Sequence, residues 1–252
     1  MSGHSKWATI KRSKAANDSK RGALFTKIGR EIAVAAREGG PDPESNFRLR
    51  IVLDKARQAN MPKDNIERAI KRGAGIGNDG VSYDEITYEG YGPHGIAIMA
   101  QALTDNKNRT VSEIRHCFSR FNGNLGSNGS VAWMFDHKGH IVVKTGDNDP
   151  EEVALEAIEA GADDVEIGED TIEVYTEMES FAQVREALDA SYELENSQLS
   201  WIPQTATELD EKATLQVMKL LEALEELDDV QDVFSNLDLN DDLLAKLEAE
   251  AA

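Results

Sequence analysis

Six cations crowd the start of the chain. Lys6, Lys11, Arg12, Lys14, Lys20 and Arg21 fall within residues 4–21 against a single acid, Asp18. Cations at this density attract phosphates at long range, and each phosphate neutralised releases counterions, so the binding they support is salt-dependent. Arginine adds planar, two-point contact that lysine cannot give. Trp7 lies inside the run and offers a ring on which an exposed base can stack. The same chemistry continues beyond the arm. Lys27, Arg30 and Arg37 recur on one side of a helical stretch, Arg48 and Arg50 flank the apolar stripe of a second, and Lys71 and Arg72 close a third. Two plainer uses of these cations stay open: a solvated helix surface, or docking on the protein's own acids. No zinc-finger spacing, RNP aromatic signature or GXXG loop accompanies them, so phosphate contact is expected without base readout.

Other polar constellations are weaker. Asn106-Lys107-Asn108-Arg109 joins a strand to a helix start, where Lys107 and Arg109 beside free backbone N–H groups suit a phosphate as well as they suit a polar cap. Loop 122–130 (NGNLGSNGS) is rich in glycine but lacks the Gly-Lys-Ser/Thr ending of a P-loop, so it reads as a turn that lets the backbone bend or approach a large partner. His94 has no second ligand at metal spacing, and His137 and His140 flank Gly139 in an expected hairpin turn. His116 and Cys117 are helix neighbours pointing about 100° apart, which does not make a reactive pair. Residues 147–195 hold 18 acids and one cation, Arg185, too diffuse to single out a catalytic pair. No catalytic residue, metal site, cofactor or small-molecule substrate is expected, and the chain reads as a non-enzyme.

The elements that must position these groups fall into blocks. Leu24, Ile28, Ile32 and Ala35 predict a first helix ending at Gly39-Gly40, Leu49, Val52, Leu53 and Ala56 a second over about 45–60, and Ile66, Ala69 and Ile70 a third from Pro62 to Gly73. Residues 73–80 (GAGIGNDG) read as a linker. Beyond it come strands at 86–88 and 96–103, a helix over 110–121 and a strand at 131–135. Then follow strand, helix, two strands, helix and strand, the order of a ferredoxin-like unit. Asp149 and Ser180 are its expected helix caps. A helix over 210–227 and a strand at 230–236 close the pattern. The fold class expected is α+β: an N-terminal three-helix bundle plus two α/β domains, the third (ferredoxin-like) inserted within the second. The expected boundaries are 1–75, 81–136 with 203–239, 137–202, and an acidic tail at 240–252.

The totals bound the reading. At 252 residues with 40% hydrophobic content, the chain can build more than one core. It has no long apolar run for a membrane and no secretory leader pattern, and its single cysteine permits no intrachain disulfide, so a cytoplasmic protein with no membrane partner is expected. The net charge of −20 argues against a polyanionic partner only until it is divided. Residues 1–75 carry 17 cations and 8 acids, a balance of +9, and residues 76–252 carry 10 and 39, a balance of −29. A basic head sits on an acidic body.

Several strings occur together in order: Gly3-His4-Ser5-Lys6-Trp7, Asn60-Met61-Pro62-Lys63-Asp64, Ile66-Glu67-Arg68-Ala69-Ile70-Lys71-Arg72-Gly73, Tyr88-Glu89-Gly90-Tyr91-Gly92-Pro93, Gly123-Asn124-Leu125-Gly126, Gly129-Ser130-Val131-Ala132-Trp133 and Trp201-Ile202-Pro203-Gln204-Thr205. With them, nearly the whole chain resembles the YebC/PmpR family. The resemblance implies three domains, one inserted in another, and a cytoplasmic regulator of gene expression. Members are described as probable DNA-binding transcriptional regulators, and relatives as translation factors that act on the ribosome and relieve stalling at proline-rich stretches. The arm cations inherit the nucleic-acid role by that resemblance. Promoter DNA and rRNA both remain as partners; an enzyme is the third reading, which no convergent acid, base, nucleophile or metal set supports, and a protein–protein adaptor is the fourth.

Overall fold

The computed structural model describes residues 18–76 and 82–239. It opens with helices α1 (Asp18–Gly39), α2 (Phe47–Gln58) and α3 (Lys63–Gly73), followed by strands β1 (Asp84–Tyr91) and β2 (Ala97–Thr104). Helix α4 (Lys107–Arg120), β3 (Asn124–Leu125) and β4 (Phe135–Lys144) come next. Then stand α5 (Pro150–Ala160), β5 (Asp164–Ile167), β6 (Thr171–Thr176), α6 (Phe181–Ser191) and β7 (Leu194–Pro203). Strand β8 (Thr207–Glu208), α7 (Glu211–Glu225), β9 (Val230–Ser235) and β10 (Leu237–Asp238) complete the order. The α+β class is as expected, with seven α-helices and two four-stranded sheets among the described residues.

The three-helix unit packs Ile28, Ile32 and Ala35 of α1 against Leu49, Val52, Leu53 and Ala56 of α2 and Ala69 of α3. Asn46 is the hinge between the first two helices. Its side-chain oxygen caps α2 by accepting from Leu49 N (3.0 Å), while its amide donates to Ala35 O and Gly40 O (2.8 Å each), carbonyls at the end of α1. One buried side chain thus closes one helix and opens the next. Gly40 supplies the left-handed turn between them (φ 89°). Helix α1 differs from its expected one-sided character. All five residues from Ile32 to Ala36 are buried, so the helix has no free face over that span.

The first sheet runs β3-β1-β2-β9 and is antiparallel throughout. Strand β2 lies inside it and is buried on both faces. Ile98 and Ala100 face α4 and α7, packing with Ile114, Phe118, Val217, Leu220, Leu221 and Leu224. Ala97 and Met99 face the other way, toward Val131, Phe135 and Phe234. This is why β2 reads as a near-continuous apolar run while edge strand β3 is only two residues long.

The second sheet runs β5-β6-β4-β7, the split βαβ order expected for a ferredoxin-like arrangement, with α5 and α6 on its core face. It interrupts the first sheet, whose strand β9 returns only after it. Two expectations fail at the crossing. Residues 131–135 are not a strand: a 3-10 turn fills Ala132–Met134, and β4 then runs unbroken from Phe135 to Lys144. His137, Gly139 and His140 therefore stand in mid-strand rather than in a hairpin turn. Gly139 is there for space, because a Cβ would come within 2.5 Å of the Phe181 ring. Asp149 does cap α5, accepting from Glu151 N (2.9 Å), but Ser180 makes no side-chain cap on α6.

Candidate nucleic-acid interface

Lys27, Arg30, Val34 and Arg37 are spaced i, i+3, i+7, i+10, which places them on one stripe of α1. An outward, solvated stripe is one of the uses that the sequence leaves open for these cations, and docking on the protein's own acids is another. The cations of the stripe meet the first sheet unit, with Val34 only 1% exposed between them. Lys27 Nζ donates to Glu225 O (2.5 Å) at the end of α7, where a cation also complements the helix dipole. Arg37 donates to Ser82 Oγ (2.7 Å) and Tyr83 O (2.9 Å). Arg30 reaches Asp228 O and the Asp229 carboxylate (3.0 Å), and its guanidinium lies 5.7 Å from the Tyr83 ring centroid.

Asp229 gathers more than Arg30. The carboxylate is 2% exposed and also accepts from Arg109 (2.6 Å), Thr110 Oγ1 (2.7 Å) and Thr104 Oγ1 (3.1 Å). Burial pushes its pKa up, but the Arg109 and Thr110 hydrogen bonds and the Arg30 charge outweigh that and hold it below the usual aspartate range. Sequence reasoning passed over Asp229 because nothing local marks it: its partners lie more than 100 residues away. Arg109 additionally pairs with Asp105 (2.8 Å), and Lys107 with Asp84 (3.3 Å). The turn before α4 is capped by Asn106, which accepts from Arg109 N (3.2 Å).

The remaining head cations divide in the same way. Arg48 pairs with Glu38 (2.6 Å) and Glu85 (3.0 Å), and Arg50 with Glu186 (3.4 Å). Lys71 and Arg72 are exposed on α3, beside Arg68, and none of the three has a carboxylate partner among the described residues. Arg21 is exposed in the first turns of α1. The expectations for Lys6, Trp7, Lys11, Arg12, Lys14 and the Lys20 side chain lie outside the described residues. The geometry therefore brings seven of the named cations onto the protein's own oxygens and leaves the outer face of α3 positively charged, uncovered by any of the described residues.

Loop 122–130 is built on a residue the sequence reading did not single out. Glu89 is 6% exposed, and its carboxylate accepts from the backbone N–H groups of Gly129 (2.7 Å), Val131 (2.8 Å) and Ala132 (2.8 Å). Burial alone would raise its pKa; those three bonds lower it instead. The carbonyl of Ser130 accepts from both Tyr91 Oη (3.1 Å) and Trp133 Nε1 (3.2 Å). His94 contacts Gln216 (2.8 Å), and buried Cys117 lies 3.7 Å from Ala223 O while His116 is exposed, so neither forms a reactive constellation. Burial pushes the Cys117 thiol up. Among the described residues no cluster of His, Cys, Asp and Glu could hold a metal ion.

Residues 5–76 match the family model described as the TACO1/YebC protein N-terminal domain, and residues 83–237 match the model of the TACO1/YebC second and third domain. The chain belongs to the YebC family. A relative from Desulfosudis oleivorans is 53% identical over 96% of this chain and 98% of its own length, and one from Dehalococcoides mccartyi is 50% identical over the full length of both. Both are named probable transcriptional regulatory proteins. Among solved structures, a conserved hypothetical protein from Aquifex aeolicus is similar at 48% identity and a TM-score of 0.81, covering 88% of this chain and 92% of that one. No helix of this YebC-family chain is long and apolar enough to cross a membrane, among the described residues.

Proposed function

We propose that this YebC-family chain is a non-enzymatic regulator of gene expression that binds nucleic acid through its basic N-terminal unit. The observation that carries the reading is the cationic face of α3, where Arg68, Lys71 and Arg72 stand exposed without carboxylate partners among the described residues, in a protein of net charge −20. Such a face, together with the arm cations, attracts phosphate. The relatives' name as transcriptional regulators supports the regulatory role. Lys27, Arg30, Arg37, Arg48, Arg50, Lys107 and Arg109 belong to the same proposed surface only where phosphate displaces their internal partners. Replacing Lys71 and Arg72 together by glutamate tests the reading. The slope of log K against log salt should fall by about 2 units on duplex or RNA; an unchanged slope would remove α3 from the interface.

The acidic second sheet unit favours a second reading, a ribosome-associated factor contacting rRNA. Its 18 acids and one cation over 147–195 oppose the wrapping of duplex DNA, yet suit a face turned to solvent or to basic proteins. Crosslinking in cells followed by sequencing of the attached nucleic acid separates the two. Mainly promoter DNA supports transcriptional control, and rRNA or tRNA fragments support the ribosome.

A further inference from the structure

We propose that Trp133, with Tyr91 beside it, forms a fixed platform that stacks on an unpaired nucleobase, at a site separate from the basic head. The inference rests on the nucleic-acid reading above and adds to it a place where bases, rather than phosphates, are held.

Three observations carry it. The first is exposure. Trp133 is 68% exposed and Tyr91 36%, an uncommon position for aromatic rings in a folded chain. The second is rigidity. Trp133 Nε1 and Tyr91 Oη donate to one and the same carbonyl, Ser130 O, so the two side chains converge from either side on a single point. That carbonyl lies between residues whose N–H groups are clamped by the buried Glu89 carboxylate. Gly126 N also donates to Glu89 O (2.8 Å), and Tyr91 lies opposite Asn124 in the sheet. The loop is thus ordered before any ligand arrives, which lowers the entropic cost of stacking.

The third is the chemistry of the surroundings. Residues 114–135 contain no Asp or Glu, in a chain that has 47 of them. The exposed groups of this stretch are Arg115, His116, Ser119 and Arg120 on α4, and Asn122, Asn124, Ser127 and Asn128 on the loop. Neither arginine has a carboxylate partner among the described residues, and Phe121 lies under the Arg120 guanidinium (5.3 Å to the centroid). The loop that carries the two rings offers the exposed amides of Asn122, Asn124 and Asn128 and the hydroxyl of Ser127, groups that suit base edges. The bases of a duplex are stacked on one another and cannot reach the ring, so the ligand is single-stranded or splayed.

The test uses the full chain and fluorescently labelled 12-mers: single-stranded RNA, single-stranded DNA, an abasic strand of equal charge, and a duplex. Stacking on a base is worth about a fivefold or greater change in affinity. Trp133→Ala should weaken single-strand binding by at least that factor, leave the duplex and abasic strands unchanged, and be largely rescued in Trp133→Phe, which keeps a ring. The more tightly bound of the RNA and DNA strands names the source of the base. Trp133 is exposed, so both variants are expected to fold, and circular dichroism checks this. If the wild-type chain binds no nucleic acid at all, the proposed function itself fails. If it binds but Trp133→Ala loses nothing, or loses equally on the abasic strand, the head reading stands and the platform is overturned.

Discussion

Asp229 is the residue at which the helical unit and the first sheet unit are pinned together. Two arginines from different units, Arg30 and Arg109, and two threonine hydroxyls share one carboxylate. Replacing it by asparagine leaves two guanidinium groups facing an amide. Because Arg109 is 41% exposed the cost is partly screened, and a loss of about 2 kcal/mol is expected in urea unfolding. A loss confined to the surface range, below about 0.5 kcal/mol, would mean that the ion pairs are incidental. Glu89 plays a corresponding part within the first sheet unit, where it holds the end of loop 122–130. Both carboxylates are held below their ordinary values in the folded protein, so their contribution is complete above about pH 4 and drains away as pH falls through the depressed values. Protection of the Gly129, Val131 and Ala132 amides, taken relative to their intrinsic exchange rates at each pH, should fall on acidification, and Glu89→Gln should reproduce that loss at neutral pH. Unchanged exchange in the variant would show that the loop holds itself.

At the scale of elements, the close approach of α3 to α1 is controlled by one missing side chain. A Cβ on Gly73 would sit 2.2 Å from the carbonyl oxygen of Ala33. Gly73→Ala gains about 1 kcal/mol of helix propensity, yet the backbone clash should reverse the sign and lower the melting temperature. A rise would mean that the helices have room to part. Much of this architecture was legible in sequence. The stripes of α1, α2 and α3, the apolar run of β2 and the strand–helix order of the second sheet follow from periodicity alone. The failures share a cause. The 3-10 turn at Ala132–Met134, the mid-strand Gly139 and the inward stripe of α1 are decided by neighbours distant in sequence: Glu89, Phe181 and Asp228–Asp229 respectively. Periodicity tells which residues share a face, but not what that face meets. For the same reason the sequence shows the cations but not their partners, and shows Trp133 without the exposure that the fold gives it.

At the scale of the whole molecule, positive charge does two jobs. Lys27, Arg30, Arg37 and Arg48 hold the helical unit against the acidic body, and the α3 face stays uncovered by any of the described residues. Salt should therefore act twice, weakening nucleic-acid binding and loosening the helical unit. Exposed pairs such as Arg48–Glu85 are screened first, and Arg30–Asp229 last. A change in small-angle scattering profile between 0.05 and 1 M salt, absent when measured for a disulfide-tethered variant, checks the second effect; identical profiles across that range for the wild type would refute it. A second joint in the molecule is of a different kind. The chain enters and leaves the second sheet unit along β4 and β7, where Phe135 faces Pro203 and Gly139 faces Leu199 in antiparallel register. Partners in such a ladder stand about 5 Å apart, so a two-residue Asn-Gly turn can join residue 138 to residue 200. The shortened chain should still melt cooperatively, as seen by calorimetry, while keeping Phe135 and Trp201 on the first sheet. By this geometry the inserted unit is a cassette on a paired stem, a position where another domain could be grafted, or the present one deleted, without rerouting the rest of the backbone.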